Sequence, residues 1–344
     1  MKNNLMKLLL SVLMVFVLLT GAISLSAAEE VSAKETLQPL MDLVSASALY
    51  SYDAPETVPG EEGTLSANFI QAFLLSGQSE GGELGITDAH LNDVEAQRVL
   101  LSSIFAAKLP ELTSLEPLSE KLDFIGFYPV TEETLEDNTL RFMGEVYMAD
   151  KPINKMGVDD LANIQWIERG LFTFQKDDTA MNSYRLQNFA LGTDLAFEEE
   201  FRVYSEEIAV EYESNLGFMV LYPAVFADEI LIESENGVTA SAEDGKVQFS
   251  ALRTKNDNKL TLAAYIEKLS ANTPASTYTI NDEMQYATVQ YKNDKNCYVF
   301  DVISVTDEFV YTAELSCTED MAKDYSMYFS YLENSFVIDE LCQG

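Results

Sequence analysis

The sequence predicts an α+β protein in which helices precede an antiparallel meander, followed by a second antiparallel sheet flanked by helices. Three observations support this fold class. Apolar residues recur at helical spacing as far as about residue 109. From residue 124, several segments are rich in aromatic residues and partly alternate between apolar and polar residues, as strands do. Further along, Asn236-Gly237 and Asp244-Gly245 supply hairpin turns between short apolar segments, which indicates more antiparallel strands.

Two domains are expected from the chain length of 344 residues and from a break in the pattern. The acidic stretch Thr193–Glu200 interrupts the alternation of the preceding strands. We therefore predict an N-terminal α+β domain over residues 34–195 and a C-terminal α+β domain over residues 203–340.

The first 28 residues are typical of a secretory signal peptide. Lys2 and Lys7 accompany the apolar segment Leu8–Ile23, and the small residues Ser26-Ala27-Ala28 suit cleavage after Ala28. The alternative is a retained membrane anchor, because the apolar segment extended to Ala28 is nearly long enough to span a bilayer. The short leader is of a bacterial type. We therefore expect a secreted or extracytoplasmic protein of the bacterial cell envelope, without stable membrane insertion after cleavage.

The mature chain is strongly acidic. The sequence has 57 acidic and 21 basic side chains, and removal of Lys2 and Lys7 with the leader leaves a net charge near −38. Such a charge repels phosphate backbones and anionic lipid headgroups, so nucleic-acid binding is not expected. The charge either serves solubility or attracts divalent cations or a basic partner.

The N-terminal domain is predicted to contain three helices and four strands. The helices are expected at residues 35–50, 64–75 and 87–109, and the strands at residues 124–130, 139–148, 164–175 and 183–191. Connections between these strands are too short for crossover helices, which predicts antiparallel pairing. Trp166, the single tryptophan, is interpreted as a core residue rather than as a ligand platform.

The C-terminal domain is organised around the apolar run Gly217–Pro223. Gly217 suits a tight turn, residues 218–222 suit a buried strand, and Pro223 ends the strand because it lacks an N–H group. Laid out from this strand, the remaining residues are predicted as one sheet with two helices. The other strands are expected at residues 207–213, 230–232, 238–241, 247–252, 283–291, 297–304 and 309–317, and the helices at residues 261–270 and 318–336.

This C-terminal pattern resembles the PsbP family. The resemblance covers about residues 203–340 and consists of the Gly217–Pro223 opening, a central helix near Leu260–Leu269, a three-stranded meander and a C-terminal amphipathic helix. The family typically has tryptophan shortly after the proline, where this chain has Ala224-Val225-Phe226. The resemblance implies a PsbP-like α/β/α sandwich and an extracytoplasmic accessory or binding module, and it brings no catalytic residues.

Three cysteines allow one disulfide in an oxidising compartment. A three-residue loop between two predicted strands would pair Val305 with Phe309, and the same register would place Cys297 opposite Cys317. We therefore predict a Cys297–Cys317 disulfide. A Cys317–Cys342 bridge is the alternative.

One short motif matches a catalytic pattern. Gly77-Gln78-Ser79-Glu80-Gly81 fits the G-x-S-x-G sequence of serine hydrolases, and the only histidine, His90, follows together with Asp88. The hydrolase pattern requires a sharp strand-to-helix turn, whereas this pentapeptide follows a predicted helix and enters a glycine-rich loop. No catalytic residue is therefore assigned.

Metal and cofactor sites are not predicted. One histidine and three scattered cysteines are too few for a zinc site, and neither a P-loop nor a dinucleotide-binding fingerprint occurs. Carboxylates do concentrate near the domain junction, where we expect a solvated acidic face, with weak divalent-cation binding as the alternative. These carboxylates are Glu198, Glu199, Glu200, Glu206, Glu207, Glu211 and Glu213.

The function expected from these observations is that of a non-catalytic binding or accessory protein of the bacterial cell envelope. Its partner would be an envelope protein or a basic molecule. The alternative is an extracellular hydrolase with a site near Ser79 and His90 or in an acidic cleft between the domains. A deep pocket with convergent polar groups at the junction would favour the hydrolase, and flat faces would favour the binding protein.

Overall fold

The structure is a computed structural model, and its elements follow the order that the sequence predicts. It describes residues 32–50, 58–59, 63–79, 84–115, 123–135, 138–227, 229, 231–273, 276–339 and 341. The predicted leader and Cys342 lie outside the described residues.

Helices and antiparallel strands follow one another along the chain, so the α+β class is confirmed. The described helices are α1 (Ala33–Tyr50), α2 (Ala67–Ser79), α3 (Asp88–Asn92), α4 (Val94–Ile104), α5 (Glu198–Ile208), α6 (Leu262–Asn272), α7 (Ala322–Tyr325) and α8 (Met327–Ser335). The described strands are β1 (Phe124–Thr134), β2 (Thr139–Ala149), β3 (Gln165–Lys176), β4 (Tyr184–Leu191), β5 (Ala209–Ser214), β6 (Phe218–Pro223), β7 (Ile232–Ser234), β8 (Gly237–Ala242), β9 (Val247–Lys255), β10 (Thr277–Asn281), β11 (Tyr286–Lys292), β12 (Tyr298–Val305), β13 (Phe309–Cys317) and β14 (Val337–Ile338).

The N-terminal sheet is the predicted antiparallel meander, in the order β1-β2-β3-β4. One face of it packs against buried residues of α1, α2 and α4 in a single hydrophobic core. Phe172 lies at the centre of that core, with its ring centroid 4.8 Å from that of Phe127 and 4.5 Å from that of Phe189. Aromatic side chains that recur at alternate positions of neighbouring strands thus build this interior.

The predicted third helix is in fact two shorter helices. Asp93 has an extended backbone, and its carboxylate accepts hydrogen bonds from the N–H groups of Glu95 and Ala96, which ends α3 and caps α4. The helix then ends before Phe105, which forms a parallel bridge with Leu186 of β4. The prediction of one continuous helix is wrong because an N-cap stands in its interior.

The C-terminal half contains two sheets rather than the predicted one. β6 is the central strand of a small sheet in the order β14-β6-β5, and a seven-stranded sheet has the order β10-β11-β12-β13-β9-β8-β7. Pro223 ends β6, and the chain turns through a 3₁₀ helix at Ala224–Phe226, so β7 begins in a different sheet. α5, β10 and β14 are additional to the predicted elements.

Residues on both sides of the predicted domain boundary pack together. Tyr147 of β2 belongs to the same core as Phe218 and Phe249, and Leu171 of β3 packs in a smaller core with Tyr204 of α5. The boundary itself stays a prediction. Within the described ranges, no helix has both the length and the hydropathy needed to cross a bilayer.

Candidate ligand-binding groove

An open groove of about 660 Å³ lies where β2 and β3 meet α5, β5, β6 and α8. We call it the junction groove. Its lining includes Glu145, Trp166, Glu168, Arg169, Leu221 and Tyr331. The groove therefore combines carboxyl groups and one guanidinium with aromatic and aliphatic surface.

Glu145 is the most deeply buried charged residue of this lining. The two-residue period of β2 places its side chain on the same face as Met143 and Tyr147, which belong to the cores against the C-terminal half. Only 5% of Glu145 is exposed. A single carboxyl group between the large apolar residues Met143 and Tyr147 of the same strand face is the sequence signal that could have identified this position.

Two tyrosine hydroxyls hold the Glu145 side chain in place. The hydroxyl of Tyr204 donates to Glu145 Oε1 at 3.0 Å, and that of Tyr331 donates to the same oxygen at 2.7 Å. Burial raises the pKa of Glu145 to about 7, against the two hydrogen bonds and the charge of Arg169, which lower it. Near neutral pH the protonated and the ionised forms of this carboxyl group are therefore both present.

Arg169 of β3 is the direct cross-strand partner of Glu145. Its guanidinium is nevertheless engaged elsewhere, because Nη1 donates to Ser205 Oγ at 2.7 Å and Nε lies 3.6 Å from Glu168 Oε1. Its Cζ also lies 5.7 Å from the ring centre of Phe201. Among the described ion pairs, none joins Arg169 to Glu145 within 4.0 Å.

A β-bulge in β3 shapes the adjacent wall of the groove. Val146 pairs with Glu168 but Tyr147 pairs with Trp166, so Ile167 is an extra residue in the strand. Trp166 is half-buried, with its ring centroid 5.5 Å from that of Tyr147, and it also lines the groove. The interpretation of Trp166 as a core residue therefore describes only one side of its environment, because the other side lines the groove.

The acidic residues near the junction have several partners. Arg202 of α5 pairs with Glu199 at 2.6 Å and with Glu206, while Glu206 and Glu211 also line the groove. Glu198, Glu199 and Glu200 occupy the first turn of α5, where the helix dipole favours negative charge. In the described part of the chain, no group of three or more His, Cys, Asp or Glu residues is arranged to hold a metal ion.

The predicted G-x-S-x-G motif lies at the end of a helix. Ser79 is the last residue of α2, and the two residues that complete the motif lie outside the described ranges. His90 Nδ1 lies 3.1 Å from the backbone nitrogen of Thr87, from which it accepts a hydrogen bond at the start of α3. The strand-to-helix turn that this motif needs for catalysis is thus replaced by a helix C-terminus.

Cys297 and Cys317 are free thiols in the structure. Tyr298, rather than Cys297, pairs with Cys317 across β12 and β13. The predicted Cys297–Cys317 disulfide is therefore not present. The alternative partner, Cys342, lies outside the described residues.

The difference in register comes from a tighter hairpin than the predicted three-residue loop. The N–H group of Thr306 donates to the carbonyl of Phe309 at 2.8 Å, and Val305 pairs with Val310. Two residues thus form the loop instead of three. Because successive strand residues point to opposite faces, a shift of one residue changes every cross-strand pair.

In a Cys342→Ser background, we expect a thiol reagent to label Cys297 in the native protein and Cys317 only after unfolding. Cys317 is fully buried, and burial raises the pKa of its thiol to about 12, so the reactive thiolate is scarce. Colorimetric thiol counting with and without denaturant measures this, and Cys297→Ser should abolish the native signal. Two thiols that react in the native protein, or none after unfolding without reductant, would contradict the assignment.

Comparisons with known proteins give a distant likeness of fold. No family model and no curated protein sequence match the chain. Among solved structures, the chain is similar to the cyanobacterial PsbP (CyanoP) of Synechocystis sp. PCC 6803. The TM-score is 0.30 and the identity 15%, and the alignment covers 38% of this chain and 93% of that one. PsbP is also the family that the C-terminal sequence pattern resembles.

Proposed function

We propose that the protein is a non-catalytic binding protein of the bacterial cell envelope, and that its junction groove receives a positively charged part of a partner. The observation that carries this proposal is the charge of the lining. Glu145, Glu168, Glu206 and Glu211 line the groove together with a single guanidinium, that of Arg169. The apolar leader segment at residues 8–23 supports export.

The balance of charge favours a cation over an anion. Arg169 is already hydrogen-bonded to Ser205 and lies near Glu168, which balances part of its charge. The remaining carboxyl groups create a negative potential in a groove with partly apolar walls, where electrostatic attraction is less screened than on a flat surface. Cationic segments of a partner would therefore be drawn to this site.

We expect an octalysine peptide to bind the protein and an octaglutamate peptide not to bind. Glu206→Gln with Glu211→Gln should weaken octalysine binding, because both carboxyl groups line the groove. Glu207→Gln with Glu213→Gln is the matched control, since it removes the same charge from exposed positions of α5 and β5. Calorimetric titration at several salt concentrations measures this. Equal weakening by both double variants would show that only net charge matters and would count against the groove.

A second candidate function is hydrolysis in the acidic groove, and the environment of Glu145 favours it. Burial raises the pKa of Glu145 to about 7, which suits a general acid or base at neutral pH. The test is a screen with chromogenic esters and glycosides. Activity that changes near neutral pH and is lost in Glu145→Gln would replace the binding function by this one.

A further inference from the structure

Glu145 retains one hydrogen-bonding position that the protein itself does not fill. Both hydroxyl donors, from Tyr204 and Tyr331, bind its Oε1. No group in the described ranges donates to Oε2. Oε2 is not among the fully enclosed polar atoms that lack a partner within the described residues, so it borders the open space of the groove. Since Glu145 lines the junction groove, a ligand can supply the missing donor.

The cation that the fold places closest in the sheet does not supply it. Arg169 is directly opposite Glu145 in the β2–β3 ladder, yet its guanidinium binds Ser205 Oγ at 2.7 Å and lies over the ring of Phe201. Ser205 Oγ in turn donates to the carbonyl of Phe201 at 2.8 Å, which fixes it as an acceptor for Arg169. Glu145 is thus a buried acid beside a cation that is held by α5.

The groups that face Glu145 favour a cationic donor over a neutral one. β3 contributes Arg169 and Glu168, α5 contributes Tyr204, and α8 contributes Tyr331 and Tyr328. Burial raises the pKa of each of these tyrosines above its ordinary value, so they stay neutral. An ammonium group gains both a hydrogen bond and the attraction of an opposite full charge from the carboxylate, whereas an alcohol gains the hydrogen bond alone.

The occupied oxygen selects ammonium over guanidinium. A guanidinium binds a carboxylate best when each oxygen accepts one of two parallel N–H bonds. Oε1 of Glu145 already accepts from Tyr204 and Tyr331, so only one oxygen remains. An ammonium is a compact point charge that needs one oxygen, and an alkyl stem can lie along Trp166 and Leu221 of the same lining.

We propose that the junction groove binds a primary ammonium group on an alkyl stem, with the ammonium on Oε2 of Glu145 and the stem along Trp166. A lysine side chain of a partner protein and a free alkylamine share this chemistry. The inference rests on the proposed function, because it names the cationic group that the groove receives. It goes further in assigning the recognition to one buried carboxyl group.

Binding in this way is coupled to proton release. The fraction of protein with protonated Glu145 must lose that proton to solvent before the carboxylate can pair with the ammonium, which keeps its own proton. Charge is balanced because one proton leaves for each such pair formed. Affinity therefore rises with pH through the titration of Glu145, whose pKa burial raises to about 7.

The single tryptophan provides the measurement. Trp166 lines the groove, so its fluorescence reports on occupancy. The probes are Nα-acetyl-lysine methylamide, its Nε-acetylated form, which lacks the charge, and n-butylamine, which lacks the peptide. We expect saturable changes with the first and third probes only. Glu145→Gln should weaken them about 10- to 100-fold. Glu213→Gln, an exposed position outside the groove, is the matched control and should bind as the wild type does.

The outcomes separate this inference from the proposed function. Equal binding of the Nε-acetylated probe, or unchanged affinity in a folded Glu145→Gln variant, overturns the ammonium site, while octalysine binding would still support a cationic groove. Absence of binding by octalysine as well overturns both. Binding of the lysine probe without n-butylamine assigns the site to a partner's lysine rather than to a free amine. Circular dichroism confirms that each variant is folded before titration.

Discussion

Phe172→Ala is expected to lower the free energy of unfolding by about 3–5 kcal/mol, because it removes a large side chain from the middle of the N-terminal core. The Phe172 side chain is fully buried. Its ring centroid lies 4.5–5.9 Å from those of Phe127, Phe174 and Phe189, and each such ring pair adds stabilisation beyond the buried area. The cavity would be enclosed by rigid strands and helices, which limits collapse around it.

Urea unfolding monitored by circular dichroism measures this loss. Tyr278→Ala is the matched control, because Tyr278 is an aromatic residue of the edge strand β10 and is 53% exposed. We expect that control to change the free energy of unfolding by about 0.5 kcal/mol or less. Similar losses in both variants would contradict the placement of Phe172 in the core.

Glu145→Gln is expected to flatten the pH dependence of stability between the ordinary pKa of a glutamate and neutrality. The folded state raises the pKa of Glu145 from 4.5 to about 7, so folding favours the protonated form. Stability from this group is fully present below pH 4.5 and is lost as the pH rises through about 7. With ~1.4 kcal/mol for each tenfold change in proton affinity, the loss is about 3 kcal/mol.

The measurement is the free energy of unfolding of wild type and Glu145→Gln at a series of pH values. Burial also raises the pKa values of Asp301 and Glu314. Both residues are present in the two proteins, so they change the stability of both with pH in the same way. The difference between the two curves therefore isolates Glu145. Glu213→Gln, which removes an exposed carboxyl group, should run parallel to the wild type. If the Glu145→Gln curve runs parallel to that of the wild type, the pKa of Glu145 is not raised in the folded state.

Local sequence patterns predicted best those elements whose ends are set by a single proline or by a turn residue. Pro223 ends β6 as expected, and the turn that joins β7 to β8 is formed by Glu235 and Asn236, one residue before the predicted Asn236-Gly237 pair. The missed break at Asp93 shows the limit of periodicity, because the apolar stripe continues across a cap that interrupts the backbone hydrogen bonds. Helix α5 was hidden for a similar reason. Its acidic first turn has the composition of a linker, although Phe201 and Tyr204 have helical spacing and are buried.

The candidate site could be predicted only in part. The concentration of glutamates at the junction predicted a solvated acidic face, and an acidic cleft was part of the alternative hydrolase hypothesis. Glu206 and Glu211 do line the groove. The decisive residue, Glu145, lies far away in sequence, and its tyrosine partners come from α5 and α8. Only the packing of three distant segments brings these groups together, and periodicity describes each segment separately. The one-residue error at Cys317 has the same origin, since a hairpin's register depends on hydrogen bonds that composition does not reveal.

The pairing of β14 with β6 has a consequence for synthesis. Val337 and Ile338 lie beside Met219 and Phe218, so a strand made early in the C-terminal half waits for residues that leave the ribosome much later. Until then the Phe218–Met219 end of β6 offers a short row of free N–H and C=O groups to any neighbouring nascent chain. A product truncated before Val337 would keep that row open permanently, and we would expect it to accumulate as aggregates rather than as a shortened soluble protein.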